Sequence, residues 1–103
     1  MRLCYEFEVK EGKEEAFESF YYTSMLPHVQ QVQGYQEEVL LRLSGSVGKY
    51  MILGHWTSFE LFDRWRKAPE HQQAVKDLSS FFVSKPRISL YEEVSPHKKL
   101  GSS

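Results

Sequence analysis

A few residues in this chain have the side chains needed to move a proton or hold a flat ligand. His71 shares a helical face with Val75, Leu78 and Phe82, at i, i+4, i+7 and i+11. An imidazole set among apolar neighbours loses hydration, and its pKa then falls where proton transfer near neutral pH is feasible. His71 is therefore the candidate catalytic base, set against the plainer alternative of a solvated histidine in the first turn of a helix. Trp65 offers a broad apolar surface that either fills core or lines a cavity. Tyr5 lies on the apolar side of an alternating strand, and its hydroxyl, once buried, needs a partner in the core or on a substrate. With Phe59 and Phe82, these side chains close either around each other or around a ligand. Tyr5, Phe59, Trp65 and Phe82 are accordingly the substrate-binding candidates.

The other polar residues suggest less chemistry. His55 alternates with Ile52, Gly54 and Trp56 in a way that turns it to the opposite sheet face, as an interface residue. His28 follows Pro27 in a connector and His97 sits in the tail, and neither spacing makes converging metal ligands. Arg87 could balance a phenolate at the start of the last strand, but a solvated arginine is the better explanation. The pairs Glu14-Glu15 and Glu37-Glu38 fall where exposed faces are expected and read as solubility. Cys4 is the only cysteine, so neither an internal disulfide nor a cysteine-clustered zinc or iron-sulfur site is available. Thirteen basic side chains nearly cancel fourteen acidic ones, for a net charge of −1. A lone Lys98-Lys99 pair is not the basic stripe of a nucleic-acid binder.

These groups must be positioned by regular elements. With 103 residues, 41% apolar and 15% aromatic, the chain predicts one domain over residues 1–94 and a polar tail over 95–103. Its longest apolar runs, Val39-Leu40-Leu41 and Met51-Ile52-Leu53, are far short of the roughly 20 residues that span a bilayer. Glu6 and Glu8 interrupt the stretch a signal peptide would need, so a cytoplasmic protein is expected. Leu3, Tyr5, Phe7 and Val9 alternate with Cys4, Glu6 and Glu8 as in a half-buried strand. A helix follows, with Phe17, Phe20, Tyr21 and Met25 on its buried stripe, until Pro27 ends or kinks it. His28 to Gln33 then reads as an irregular connector. Tyr35 to Leu43 and Lys49 to Trp56 form a hairpin around Ser44-Gly45-Ser46-Val47-Gly48.

Thr57-Ser58-Phe59-Glu60 matches a capping box with Thr57 as the cap, and Trp56 with Leu61 as the flanking staple. Phe59, Phe62 and Trp65 follow at three-residue steps. Ala68-Pro69 interrupts this helix and starts another, which carries His71 and runs to Lys85-Pro86. Arg87 to Val94 is the last strand. The order β-α-β-β-α-β is the ferredoxin-like split arrangement, an α+β fold in which a four-stranded antiparallel sheet has helices on one face. Cys4, Leu40, Met51, Leu53 and Tyr91 are assigned to the uncovered face, and burying them calls for a second sheet. A symmetric homodimer supplies one.

Val9-Lys10-Glu11-Gly12-Lys13-Glu14-Glu15-Ala16-Phe17, Gly34-Tyr35, the run from Gly54 through Phe62, Trp65 and Pro69-Glu70-His71 together resemble the antibiotic biosynthesis monooxygenase family. That resemblance implies a dimeric α+β barrel. In one branch of the family it implies oxidation of a small aromatic or quinol-type molecule by oxygen, with no metal or flavin cofactor. A second branch binds and cleaves haem. It uses a tryptophan that Trp65 matches, a helix histidine whose position is occupied here by Val75, and an asparagine whose position is Tyr5. His71 lies about one turn earlier and is closer to a histidine of the quinol-oxidising branch. The expected function is thus a cofactor-independent monooxygenase. The alternatives are a non-catalytic module that binds haem or another planar ligand, and a structural dimer with a filled core.

Overall fold

The structure, a computed structural model, describes residues 1–95 and 100. His97 and the Lys98-Lys99 pair, like most of the expected tail, lie outside the described residues. β1 (Arg2–Glu8) lies between β3 (Lys49–Trp56) and β4 (Arg87–Tyr91), and β2 (Tyr35–Arg42) pairs with the other edge of β3. All pairings are antiparallel, giving the order β2-β3-β1-β4 of a ferredoxin-like α+β sheet. No helix of the described residues is long and apolar enough to cross a membrane.

The helices cover the sheet face that carries Leu3, Tyr5, Phe7 and Ile52. α1 (Glu14–Phe20) runs into a π-helical turn, Tyr21–Met25, and then into α2 (Leu26–Val29). Pro27 therefore neither ends nor breaks this run. The widened turn, in which the Leu26 amide reaches back to the Tyr21 carbonyl, comes just before it, and Pro27 sits in the first turn of α2, directly after this break in the regular α-helical ladder. His28 and Val29 are consequently helical, and the connector begins only at Gln30.

α3 (Phe59–Lys67) is capped by Ser58, whose hydroxyl accepts from the Leu61 amide at 3.3 Å. The expected cap, Thr57, instead accepts from the Gln36 side chain at 3.4 Å. With the cap moved on by one residue, the positions that would form a flanking staple become Thr57 and Phe62, and the Trp56 ring packs on Phe62. α4 (Pro69–Ser79) stops well before Lys85-Pro86. Its end is closed by the Ser79 and Ser80 hydroxyls bonding back to the Lys76 and Asp77 carbonyls, and Phe82 leaves the helix to bridge Val9 beside β1.

Two buried clusters form under the helices. Phe7, Val9, Phe17, Tyr21, Tyr50, Ile52, Leu78 and Phe82 make the larger, and Leu3, Val29, Trp56 and Phe62 the smaller. Among the described residues, no helix covers the opposite sheet face. Val39, Leu41 and Leu53 are 45%, 42% and 38% exposed there, alongside Met51 and His55. Leu40 does not join them. The register between β2 and β3 slips between Tyr35 and Glu37, so that Gln36 bulges and every later residue of β2 changes face. Leu40 then stands opposite Ile52 on the helix side and packs against the larger cluster.

Candidate active site

A cavity of about 430 Å³ lies at the seam of the two clusters, with Leu3 and Phe62 of one and Ile52 and Leu78 of the other in its walls. Two local features bring Trp65 and His71 to it together. On α3, Phe62 and Trp65 turn inward on adjacent turns. The residue before Pro69, Ala68, is forced extended (φ −69°, ψ 144°), which breaks the helix and restarts it at Pro69. His71 then falls in the first turn of α4, with its amide bonded to the Ala68 carbonyl at 3.1 Å and its ring 4.0 Å from that of Trp65. Trp65 is backed in turn by Trp56 at 5.3 Å, stacked. Gly34 supports α3 from below at φ +96°. A Cβ there would come within 2.6 Å of the Leu61 Cβ, so only glycine fits without displacing the helix.

The electrostatics follow from burial. Trp65 Nε1 and His71 Nδ1 are both buried and have no hydrogen-bond partner among the described residues. Desolvation lowers the His71 pKa, and the neighbouring Arg66 and His28 lower it further. Burial pushes the Tyr5 phenol up to about 12. Glu38 enters the cavity wall from β2, brought to the helix side by the Gln36 bulge, and its carboxyl is raised by burial while the hydrogen bond from the Tyr21 hydroxyl opposes the rise. Tyr21 itself is raised, first by burial and then by that bond.

Of the residues singled out in the sequence, Tyr5, Trp65 and His71 come together on the cavity. Phe59 and Phe82 do not. Three-residue steps drift by about 60° each on a helix, so Phe59 is about 120° away from Trp65 and stands 48% exposed. Phe82 is consumed by packing, with its ring 4.7 Å from Phe7. Arg87 pairs opposite Glu6 on the uncovered face, away from the cavity. Glu38 is not a surface solubility residue, since it is part of the wall. Its alternation with Glu37 and Val39 gave no warning, because a bulge has no signature in the pattern of apolar residues. His28 and Arg66 also border the cavity. Among the described residues, no three His, Cys, Asp or Glu side chains gather as a metal-binding group.

Several solved structures share this fold. A conserved protein from Methanosarcina mazei superposes with a TM-score of 0.80 at 15% identity, over 89% of this chain and 90% of its own. SnoaB, a cofactor-independent oxygenase from Streptomyces nogalater, superposes with a TM-score of 0.76 at 20% identity, over 93% of this chain and 96% of its own. A structure described as an antibiotic biosynthesis monooxygenase gives 0.79 at 11% identity, over 91% and 98%. No curated protein matches the chain by sequence. Residues 2–77, which hold β1 through most of α4 and so Tyr5, Trp65 and His71, match the family model of that same description, and the chain belongs to the antibiotic biosynthesis monooxygenase family.

Proposed function

We propose that this protein is a cofactor-independent monooxygenase for a small aromatic, quinol-type substrate, with His71 as its base. The observation that carries this reading is the pair of buried, unpartnered nitrogens, Trp65 Nε1 and His71 Nδ1, on adjacent rings beside an apolar cavity. Buried polar atoms are nearly always paired, so two orphans at one cavity mark a place where a ligand supplies the partner.

The chemistry asks little more of the chain. With its pKa lowered, His71 is neutral at pH 7 and free to accept a proton. The indole N–H can donate to the substrate oxygen on which the negative charge develops. Tyr5, with its phenol held protonated, is a second donor. The carbanion or phenolate so formed is electron-rich enough to reduce oxygen itself. In anthrone, for example, the ring CH2 becomes C=O, one oxygen atom is retained and the other leaves as water, so no external reductant is needed.

The haem-cleaving branch fits less well. The position that the resemblance matches to its iron ligand is Val75, which has no donor atom, while the ring of His71 is packed on Trp65.

A second copy covering the open face of the sheet belongs to the same reading, supported by the exposed Val39, Leu41 and Leu53. A stable monomer in sedimentation at micromolar concentration would exclude it. Oxygen uptake with anthrone tests the activity. His71→Ala should lower it by about 10²-fold or more, in line with the loss of a positioned base. Equal turnover by the two proteins would remove the role assigned to His71.

A further inference from the structure

The geometry points to Glu38 as a specificity residue, whose carboxylate accepts a hydrogen bond from a second hydroxyl group on the aromatic substrate. This rests on the reading above that the cavity receives a hydroxylated ring. It adds an acceptor on β2 to the polar groups already assigned, the Trp65 and His71 pair on the helices and the Tyr5 hydroxyl on β1.

Two observations carry it. First, Glu38 is in the cavity wall only because Gln36 bulges; in an unbroken register the side chain would face the open side of the sheet. Second, the carboxylate has acceptor capacity left over. Oε2 is taken by the Tyr21 hydroxyl, while among the described residues Oε1 receives no hydrogen bond and neither oxygen has a cation as partner. An ionised carboxylate offers about four acceptor positions, and a buried one is costly unless they are used.

If Glu38 served only to satisfy Tyr21, a neutral acceptor would do so without burying a charge. Tyr21 instead ties down one oxygen and so orients the carboxylate, leaving the other as an acceptor. The rise in the carboxyl pKa is consistent with such an acceptor, since a group with higher proton affinity accepts a stronger hydrogen bond. A neutral hydroxyl is the fitting partner, because a second full charge would incur its own desolvation penalty.

Calorimetric titration without oxygen, with 1-naphthol against the 1,5- and 2,6-naphthalenediols, tests this independently of turnover. The wild-type protein should bind at least one diol about tenfold or more tighter than the mono-ol, the scale of a hydrogen bond to a charged group. Tyr21→Phe should keep that preference, because the carboxylate remains. The double variant Tyr21→Phe/Glu38→Leu should abolish it, and it removes both members of the buried pair, so no polar group is left stranded to unfold the protein. No preference in the wild type, or a preference that survives in the double variant, overturns the assignment. Oxygen uptake measured on the same proteins separates the two readings: a Glu38-dependent preference without uptake sinks the monooxygenase and leaves Glu38 in place, and uptake without the preference does the reverse. If none of the naphthols binds, both fail.

Discussion

Around Phe7, the rings of Phe82, Phe17, Tyr5 and Tyr50 stand 4.7, 5.1, 5.5 and 5.7 Å away; the tyrosine hydroxyls that do not line the cavity are occupied, Tyr50 by Glu18 and Tyr21 by Glu38, while Tyr5 borders the cavity. Around Trp65 the rings are as close, with His71 at 4.0 Å and Trp56 at 5.3 Å, yet Trp65 Nε1 and His71 Nδ1 have no partner and a cavity opens beside them. Both regions use aromatic residues on the same face of one sheet. The difference lies in polar bookkeeping: a cluster whose polar tips are satisfied has reached its final state, while one with orphaned tips is completed by something else. Ring density alone does not distinguish a core from a site.

The contrast can be broken most directly through stability. Phe17 is wholly buried, so Phe17→Ala should cost about 3–5 kcal/mol in urea unfolding, as for other large-to-small core changes. His71→Leu should cost less than about 1 kcal/mol or raise stability, since it removes an unsatisfied polar atom. A comparable loss at both positions would mean that the His71 region is ordinary core. Next in size is the cap of α3. Ser58→Ala should cost about 1 kcal/mol, and Thr57→Ala only a few tenths, in the same assay. The reverse order would return the cap to Thr57.

The smallest effect sharpens the electrostatic side. Burial, Arg66 and His28 all hold the His71 pKa below its usual value, so anthrone oxidation should fall on the acid side with an apparent pKa below about 6.5. Arg66→Gln removes one positive neighbour and should move that limb upward. A limb unmoved by the substitution would assign it to another group. Linkage gives the same group a sign in stability. A histidine with a depressed folded-state pKa binds protons more weakly in the native state. Its contribution is therefore present above about 6.5 and is lost as pH falls through the folded-state value. His71→Leu should flatten that part of the stability profile.

Much of the fold was legible because it depends on local rules. Alternation marked β1, the Ser and Gly run marked the hairpin, and Ala68-Pro69 marked the boundary that delivers His71 to Trp65. The misreadings occurred where local rules compete. Pro27 reads as the end or a kink of the first helix, but a π-helical turn ahead of it lets the helix continue. Phe82 continues the helical spacing of His71, Val75 and Leu78, yet the core around Phe7 draws it into a bridge with Val9. Phe59 shares a three-residue rhythm with Trp65, but that rhythm drifts around the helix and leaves it in solvent.

By itself, the sequence determined the order of the elements, the two helices that meet at Pro69 and the aromatic character of the interior, because each follows from short-range spacing and backbone preference. Only the tertiary structure decided which aromatics would close and which would border a cavity, and that Glu38 would be in its wall. One extra residue at Gln36 turns the rest of β2 over, and the pairing of β2 with β3 that creates the bulge joins residues far apart in the chain.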